Sequence, residues 1–244
     1  MTTQAVILAA GVGSRLRPLT DIRPKAAVPL GGQPLVAYAL ESLAACGVSS
    51  AVVVAGHARE ALLAALPHVP GLAVTVVDNP EYTRTNTLAS LVCAAPALDD
   101  GDFFLLDGDV MFERAVLSRL LGEGTRLAVD RGTPLDADAV KVALVRERIV
   151  AIGKELPDGV SGIAESIGIA KISGTLAPSL FAVGHGLLAA GASQAYYEAA
   201  FERLIAAGAA FDAADVTGLR WVEIDDHEDL ARARALFAPA EVSR

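Results

Sequence analysis

The sequence predicts an α/β protein, doubly wound around a mostly parallel sheet. Short apolar runs alternate with longer Ala/Leu-rich stretches through the first half of the chain. Runs such as Phe103-Phe104-Leu105-Leu106 lack the polar–apolar alternation of half-exposed strands, so helices are expected to cover both their faces. Glycines, charges and amides gather directly after these runs, and ligands of open α/β sheets bind beyond the carboxyl ends of the strands.

Taken in order, residues 5–9 form the first expected strand. Residues 34–46 place Leu35, Val36, Ala39, Leu40, Leu43 and Cys46 on one helical face. Ser50–Val54 is a continuous apolar strand, His57–Leu66 a helix, and Leu72–Val77 a β-branched strand. Residues 86–95 read as a helix with Asn86 as its N-cap. Phe103–Leu106 is a strand and Glu113–Leu121 a helix. The second half changes character. Lys141–Val145 and Arg148–Ile152 predict a strand pair around a charged turn, and Ile167–Ile172 a further strand. Ala177–Ala190 and Ser193–Ala207 read as helices separated by Gly191. Trp221–Ile224 is a short strand, and Asp226–Leu236 a terminal helix capped by Asp226. No linker, repeat or low-complexity stretch interrupts residues 1–244, so one domain is expected.

The chain is organised around the loop after its first strand. Leu8, Ala9 and Ala10 lead into Gly11-Val12-Gly13-Ser14-Arg15, and Arg23-Pro24-Lys25 follows. Glycine lets backbone approach a ligand closely, and consecutive N–H groups in such a turn form a concavity for anions. Arg15, Arg17 and Lys25 add local positive charge to a chain of net charge −9. The loop is therefore read as a phosphate site. It is neither G-x-G-x-x-G, since position 16 is leucine, nor a Walker A loop.

The string Leu8-Ala9-Ala10-Gly11-x-Gly13-x-Arg15, then Leu19-Thr20, then Pro24-Lys25, resembles the opening motif of the nucleotidyltransferases that act on sugar phosphates and alcohol phosphates. The resemblance implies a Rossmann-like, GT-A-like fold with an acceptor-binding β/α insertion. It implies that about residues 1–130 bind the nucleotide, and that about 131–244 bind the acceptor and supply a second metal ligand. Arg15 and Lys25 would be the catalytic cations. Leu8, Ala9, Ala10, Gly11, Gly13, Ser14, Arg15 and Lys25 would line the nucleotide, joined by Asp107.

Asp107-Gly108-Asp109 closes the apolar strand 103–106. Two carboxylates there suit a hard cation such as Mg²⁺, although Asp-Gly is also an ordinary turn dipeptide. The family resemblance makes Asp109 the ligand and Asp225, in the late Asp225-Asp226-His227-Glu228-Asp229-Leu230 motif, its partner. Asp226, Glu228 and Asp229 read as first-turn acids facing the helix dipole, and His227 as a solvated histidine. Asn79, Tyr82, Thr85, Asn86, Thr87 and Ser90 bring amide and hydroxyl groups to one helix start, which can read a base or ribose or simply cap the helix. This stretch resembles the phosphocholine cytidylyltransferase branch, which implies that Asn86 and Ser90, with Thr87 beside them, read the base and that the nucleotide is CTP.

Acceptor contacts are expected from Lys141, Lys154 and Glu165. Tyr196 and Tyr197, also expected at the acceptor, are the one adjacent pair among four tyrosines and one tryptophan, too few for a rich aromatic cage around a quaternary ammonium. The expected reaction is Mg²⁺-dependent transfer of NMP, taken as CMP from CTP, to a small phosphorylated or phosphonate acceptor. A sugar- or cyclitol-1-phosphate acceptor with another NTP stays open, as do a D-x-D glycosyltransferase and a binding protein without turnover. The acidic balance, pI ≈ 4.9, argues against nucleic acid or an anionic membrane as partner. Cys46 and Cys93 lack metal-ligand spacing, and no signal peptide or apolar span is apparent, so a reduced, cytoplasmic setting is expected. A homodimer is open on sequence alone. As a loop residue, Lys25 is expected to contribute little to stability.

Overall fold

The computed structural model describes residues 3–159 and 162–237. The first strand, β1 (Gln4–Leu8), is buried throughout. A loop with two short 3-10 turns leads to the small hairpin β2 (Pro29–Leu30) and β3 (Gln33–Pro34). There follow α1 (Leu35–Ala45), β4 (Ser50–Ala55), α2 (Arg59–Ala65), β5 (Ala73–Asp78), α3 (Thr87–Ala94), β6 (Phe103–Asp107), β7 (Val110–Phe112) and α4 (Ala115–Leu120). The second half contains β8 (Thr125–Asp130), β9 (Lys141–Val145), β10 (Arg148–Gly153), β11 (Ala164–Ile172), α5 (Ala177–Ala189), α6 (Glu198–Ala206), β12 (Phe211–Asp215), β13 (Trp221–Glu223) and α7 (His227–Leu236).

Nine strands form one sheet in the order β5-β4-β1-β6-β11-β8-β12-β10-β9. Along β1 the side chains divide as the pleat requires. Ala5 and Ile7 join one apolar layer with α1, α2 and α4, while Val6 and Leu8 join the other with α3, α5 and α6. Helices on both faces explain why these strands are uniformly apolar.

The expectation of a mostly parallel sheet needs correction. β5, β4, β1 and β6 are parallel, as is the β8–β12 pair. The long β11 runs antiparallel between β6 and β8, and the β9–β10 hairpin is antiparallel throughout. The sheet is therefore mixed, because the chain after β8 returns through a hairpin rather than through helical crossovers. β9 also pairs with β11, at Ala164↔Val142 and Glu165↔Lys141, which curls this end of the sheet over its own edge.

Strands β7, β8 and β12 have no counterpart in the sequence reading. β12 reads Phe-Asp-Ala-Ala-Asp, with little β propensity of its own, and its pairing with β8 makes it a strand. The helix expected from Ser193 begins only at Glu198. The carbonyls of Ser193 and Ala195 instead accept from the N–H groups of Asn86 and Leu88, tying this segment to the start of α3. Near the amino end of β6, Lys171 is fully buried, and its ammonium donates to Asp102 and to the Gly122 carbonyl.

A third apolar cluster joins the early loop to β7, β13 and α7: Leu16, Val28 and Leu30 pack with Met111, Val222, Ile224 and Leu230. Through it, β13 pairs with β7 and Ile224 N–H donates to the Asp109 carbonyl at 3.0 Å. Among the described residues, no helix is long and apolar enough to cross a membrane.

Candidate active site

The carboxyl ends of β1 and β6 lie side by side, with Leu8 in register with Asp107. Gly108 N–H donates to the Leu8 carbonyl at 3.0 Å, and a Cβ on Gly108 would sit 2.6 Å from that oxygen. Only glycine lets the Asp-Gly-Asp turn approach the loop backbone this closely. Gly13 holds φ +65 and opens the turn that carries Arg15, while Thr20 Oγ1 donates to the Gly13 carbonyl at 2.8 Å and closes the loop. These contacts form one wall of a cleft of about 920 Å³.

Lys25 is the centre of the cleft's charge network. Its Nζ donates to Asp109 Oδ2 at 2.6 Å and to Asp225 Oδ1 at 2.5 Å, and its side chain is 13% exposed. Arg15, 60% exposed, reaches the other oxygen of Asp225 at 2.7 Å. Burial works to lower the Lys25 pKa, but the Asp109 and Asp225 carboxylates overcome it and hold the ammonium above its ordinary value. Burial likewise opposes ionisation of Asp225, yet Lys25 and Arg15 keep its carboxyl below the usual range. Lys25 is thus an internal counter-ion, not the weakly held loop lysine expected from sequence.

Asp109, Glu223 and Asp225 each offer an oxygen within 4.8 Å of the others. Sequence reasoning named Asp109 and Asp225 and missed Glu223. The signal was present: alternation along Trp221–Asp225 puts Glu223 and Asp225 on one side. Desolvation, then the charges of Asp109 and Asp225, push the Glu223 carboxyl up to about 8. Asp226 and Asp229 are structural, as expected. Asp226 caps α7 by accepting from Glu228 N–H and Asp229 N–H, and Asp229 Oδ2 accepts from the N–H groups of Asp225 and Asp226. His227 turns away to the Arg17 carbonyl at 2.8 Å.

The polar cluster at α3 is more interlocked than the sequence suggested. Asn86 does cap the helix, its Oδ1 accepting from Thr87 N–H at 2.9 Å. Thr87 Oγ1 accepts from Tyr197 N–H. Ser90 is buried and accepts from Asn79 Nδ2 at 3.1 Å, and the same amide reaches Thr85 at 3.0 Å. Asn79, 3% exposed, is the hub that orders this wall. All of these side chains border the cleft together with Leu8, Ala9, Ala10, Gly11 and Gly13; Ser14 does not.

At the other end of the cleft, Trp221 Nε1 donates to Asp130 Oδ2 at 2.8 Å. Burial opposes ionisation of Asp130, but donors from Trp221, Gly132 and Thr133 keep its carboxyl low. Lys154 Nζ lies 3.6 Å from Asp138 and 5.3 Å from the centre of the Tyr196 ring. Lys141 does not border the cleft, and its ammonium is spent on the Lys154 carbonyl at 2.8 Å. Tyr197 is buried, and its hydroxyl donates to Asp107 Oδ2 at 3.0 Å. This contact turns Asp107 toward the end of the cleft formed by the second half of the chain. Burial, followed by the charges of Asp109 and Glu198, raises the Asp107 carboxyl.

The chain is 36% identical over 249 residues to CMP-5'-(3-aminopropyl)phosphonate synthase of Streptomyces rubellomurinus. That match covers 97% of this chain and 39% of the relative, so the chain spans well under half of that protein. It is 33% identical over 109 residues to 2-aminoethylphosphonate cytidylyltransferase of Lancefieldella rimae, covering 45% of this chain and 44% of that one. Among solved structures, the inositol-1-phosphate CTP transferase of T. maritima superposes with a TM-score of 0.84 at 25% identity, over 96% of this chain and 94% of that one. Residues 5–156 match the MobA-like NTP transferase domain, and the chain belongs to that family.

Proposed function

We propose that the protein transfers CMP from CTP to a small phosphonate or alcohol-phosphate acceptor and releases pyrophosphate. The observation that carries this reading is the convergence of Lys25, Asp109 and Asp225 beside the Gly11–Arg15 loop. Two curated relatives bear names of CMP-phosphonate chemistry, which supports the choice of nucleotide and acceptor.

In this reaction an acceptor P–O⁻ oxygen attacks the α-phosphorus of CTP. The bond from that phosphorus to the bridging oxygen breaks, and pyrophosphate leaves with the electron pair. A phosphate monoester is largely ionised at neutral pH, its second pKa being about 6, so no side chain need remove a proton. What the protein must supply is positioning and compensation of charge. Arg15 and the N–H groups of Gly11 and Gly13 hold the β- and γ-phosphates. Lys25 faces the α-phosphate. Asn86, Thr87 and Ser90 border the base, their wall fixed by Asn79.

The donor set fits a divalent ion: Asp109, Glu223 and Asp225 are hard oxygen ligands within reach of one another. A cation, the Lys25 ammonium, already bridges two of them. Asp109 and Asp225, with Glu223 beside them, would hold Mg²⁺, which supplies charge neutralisation and a template for the phosphates when bound. Residues up to about 130 form the nucleotide half, and the remainder the acceptor half plus Asp225. The reading is tested by pyrophosphate release in a matrix of four NTPs against phosphonates, alcohol phosphates and sugar 1-phosphates. CTP with a phosphonate is expected to give the highest rate. Release with no pair, or preference for a sugar 1-phosphate, refutes it.

A further inference from the structure

The acceptor half of the cleft carries the wrong charge for a ligand that is only an anion. On the wall contributed by residues 130–198, the acidic side chains are Asp130, Asp136, Asp138, Glu165 and Glu198, against a single cation, Lys154. Lys154 is already engaged with Asp138 and the Tyr196 ring. Asp130 is satisfied by Trp221, Gly132 and Thr133. Glu165 and Glu198 are not. Each keeps one buried carboxylate oxygen, Oε2, without a hydrogen-bond partner among the described residues, as Asp107 does with Oδ1. Glu198 is 9% exposed and stands at the first residue of α6, next to the buried Tyr197 that holds Asp107.

A buried carboxylate oxygen without a donor is costly, and is relieved either by a proton or by a donor that a ligand brings. In the free protein the proton serves: burial pushes both Glu165 and Glu198 up to about 7. A primary ammonium does the same with three N–H donors and a full positive charge. A hydroxyl brings no charge, and a trimethylammonium brings no donor. The Lys154 ammonium over the Tyr196 ring shows that an aromatic face on this wall accommodates a cation.

We infer that the acceptor is a zwitterion whose primary ammonium sits in the acidic half of the cleft against Glu198 and Glu165, while its phosphonate or phosphate end faces Lys25. This rests on the transferase reading above, and it adds a recognition site for the acceptor's far end. Glu198 is its principal residue, and neither the loop motif nor the Asp-Gly-Asp turn pointed to it. The site favours a primary amine over both a sugar hydroxyl and a quaternary ammonium.

The test compares 3-aminopropylphosphonate with its 3-hydroxypropyl and trimethylammonium analogues, by pyrophosphate release with CTP and by calorimetric binding. In the wild type the amine is expected to exceed both analogues at least 100-fold in kcat/KM. Glu198→Gln and Glu165→Gln, each isosteric, should cut the amine-to-hydroxyl ratio at least tenfold, through acceptor KM rather than the KM for CTP. Equal use of the three compounds by the wild type, or retention of the ratio in both variants, overturns the inference and leaves the transferase reading standing. If no acceptor supports pyrophosphate release, the transferase reading fails, and calorimetry still decides the site. Preferential binding of the amine, lost in Glu198→Gln, supports it; indifference to the amine refutes it. Should a variant not fold, the wild-type comparison alone decides.

Discussion

Replacing Lys25 by methionine removes the charge at the centre of the cleft and keeps most of the side-chain stem. Asp109 and Asp225 then face each other with oxygens no more than 4.8 Å apart. Two ionised carboxylates at that separation repel by about 3.5 kcal/mol at an effective dielectric constant near 20. Their side chains are 24% and 28% exposed, so solvent, protonation and small movements relieve part of this. A net loss of about 1–3 kcal/mol in the metal-free protein is expected. For a chain of this size that lowers Tm by roughly 2–12 °C. A divalent cation repairs the same defect, and it no longer competes with an ammonium, so its stabilisation by mass action should be larger in the variant than in the wild type. The assay is thermal unfolding of both proteins in EDTA and across a Mg²⁺ or Mn²⁺ titration, without nucleotide. Lys25→Met should start lower and climb more steeply. Turnover should nevertheless fall by about 10²–10³, as when one fixed stabiliser of transition-state charge is lost. An unchanged Tm in EDTA, or identical metal titrations, would refute the idea that Lys25 and the cation share one place.

Three further outcomes are expected. Asp109→Asn and Asp225→Asn should each remove most activity, with partial recovery at high Mg²⁺ and a double variant scarcely worse than the worse single one; independent, multiplicative losses would separate the two residues. Glu198 holds its proton more tightly folded, near pH 7, than at its ordinary 4.5. Its contribution is therefore most favourable below pH 4.5 and is lost as pH rises through about 7. Glu198→Gln should flatten that part of the stability–pH curve measured by denaturant unfolding, and an unaltered slope would contradict the assignment. Asn86→Ala should cost about 1 kcal/mol through the lost cap and also reduce discrimination between CTP and other NTPs. Loss of stability with unchanged nucleotide preference would leave Asn86 a cap only.

The first half of the fold was legible because its central strands β1, β4 and β6 are buried on both faces and its helices carry an apolar stripe. Asn86 and Asp226 announced two helix starts correctly, since cap chemistry is local. β8 and β12 were not legible: Thr125–Asp130 and Phe211–Asp215 carry charge and alanine, and their pairing with each other decides their state. The antiparallel insertion of β11 depends on long-range partners that no window of sequence contains. In the site, Lys25, Asp109 and Asp225 stood out because the motifs that carry them resemble a known family's, and both aspartates also follow strand ends. Glu223 and Glu198 did not, because a glutamate beside a short strand or at a helix start has an ordinary surface explanation. Lys141 was misleading for the converse reason: a lysine on a strand looked available, yet its ammonium is occupied by the Lys154 carbonyl.

The pairing of β13 with β7 bears on how the protein is made. Chains grow from the amino end, so the Gly11–Arg15 loop, Lys25 and Asp109 all emerge long before Trp221–Asp225 can dock beside Met111. Until then Asp225 is missing from the site, and Val222 and Ile224 are missing from the apolar cluster that anchors Leu16 and Leu30. A chain interrupted before residue 221 therefore keeps the motif by which the family is known while lacking Asp225 and Glu223. Glu223 and Asp225 therefore join Lys25 and Asp109 only once synthesis has passed residue 225, and the β13–β7 pairing is the step that delivers them.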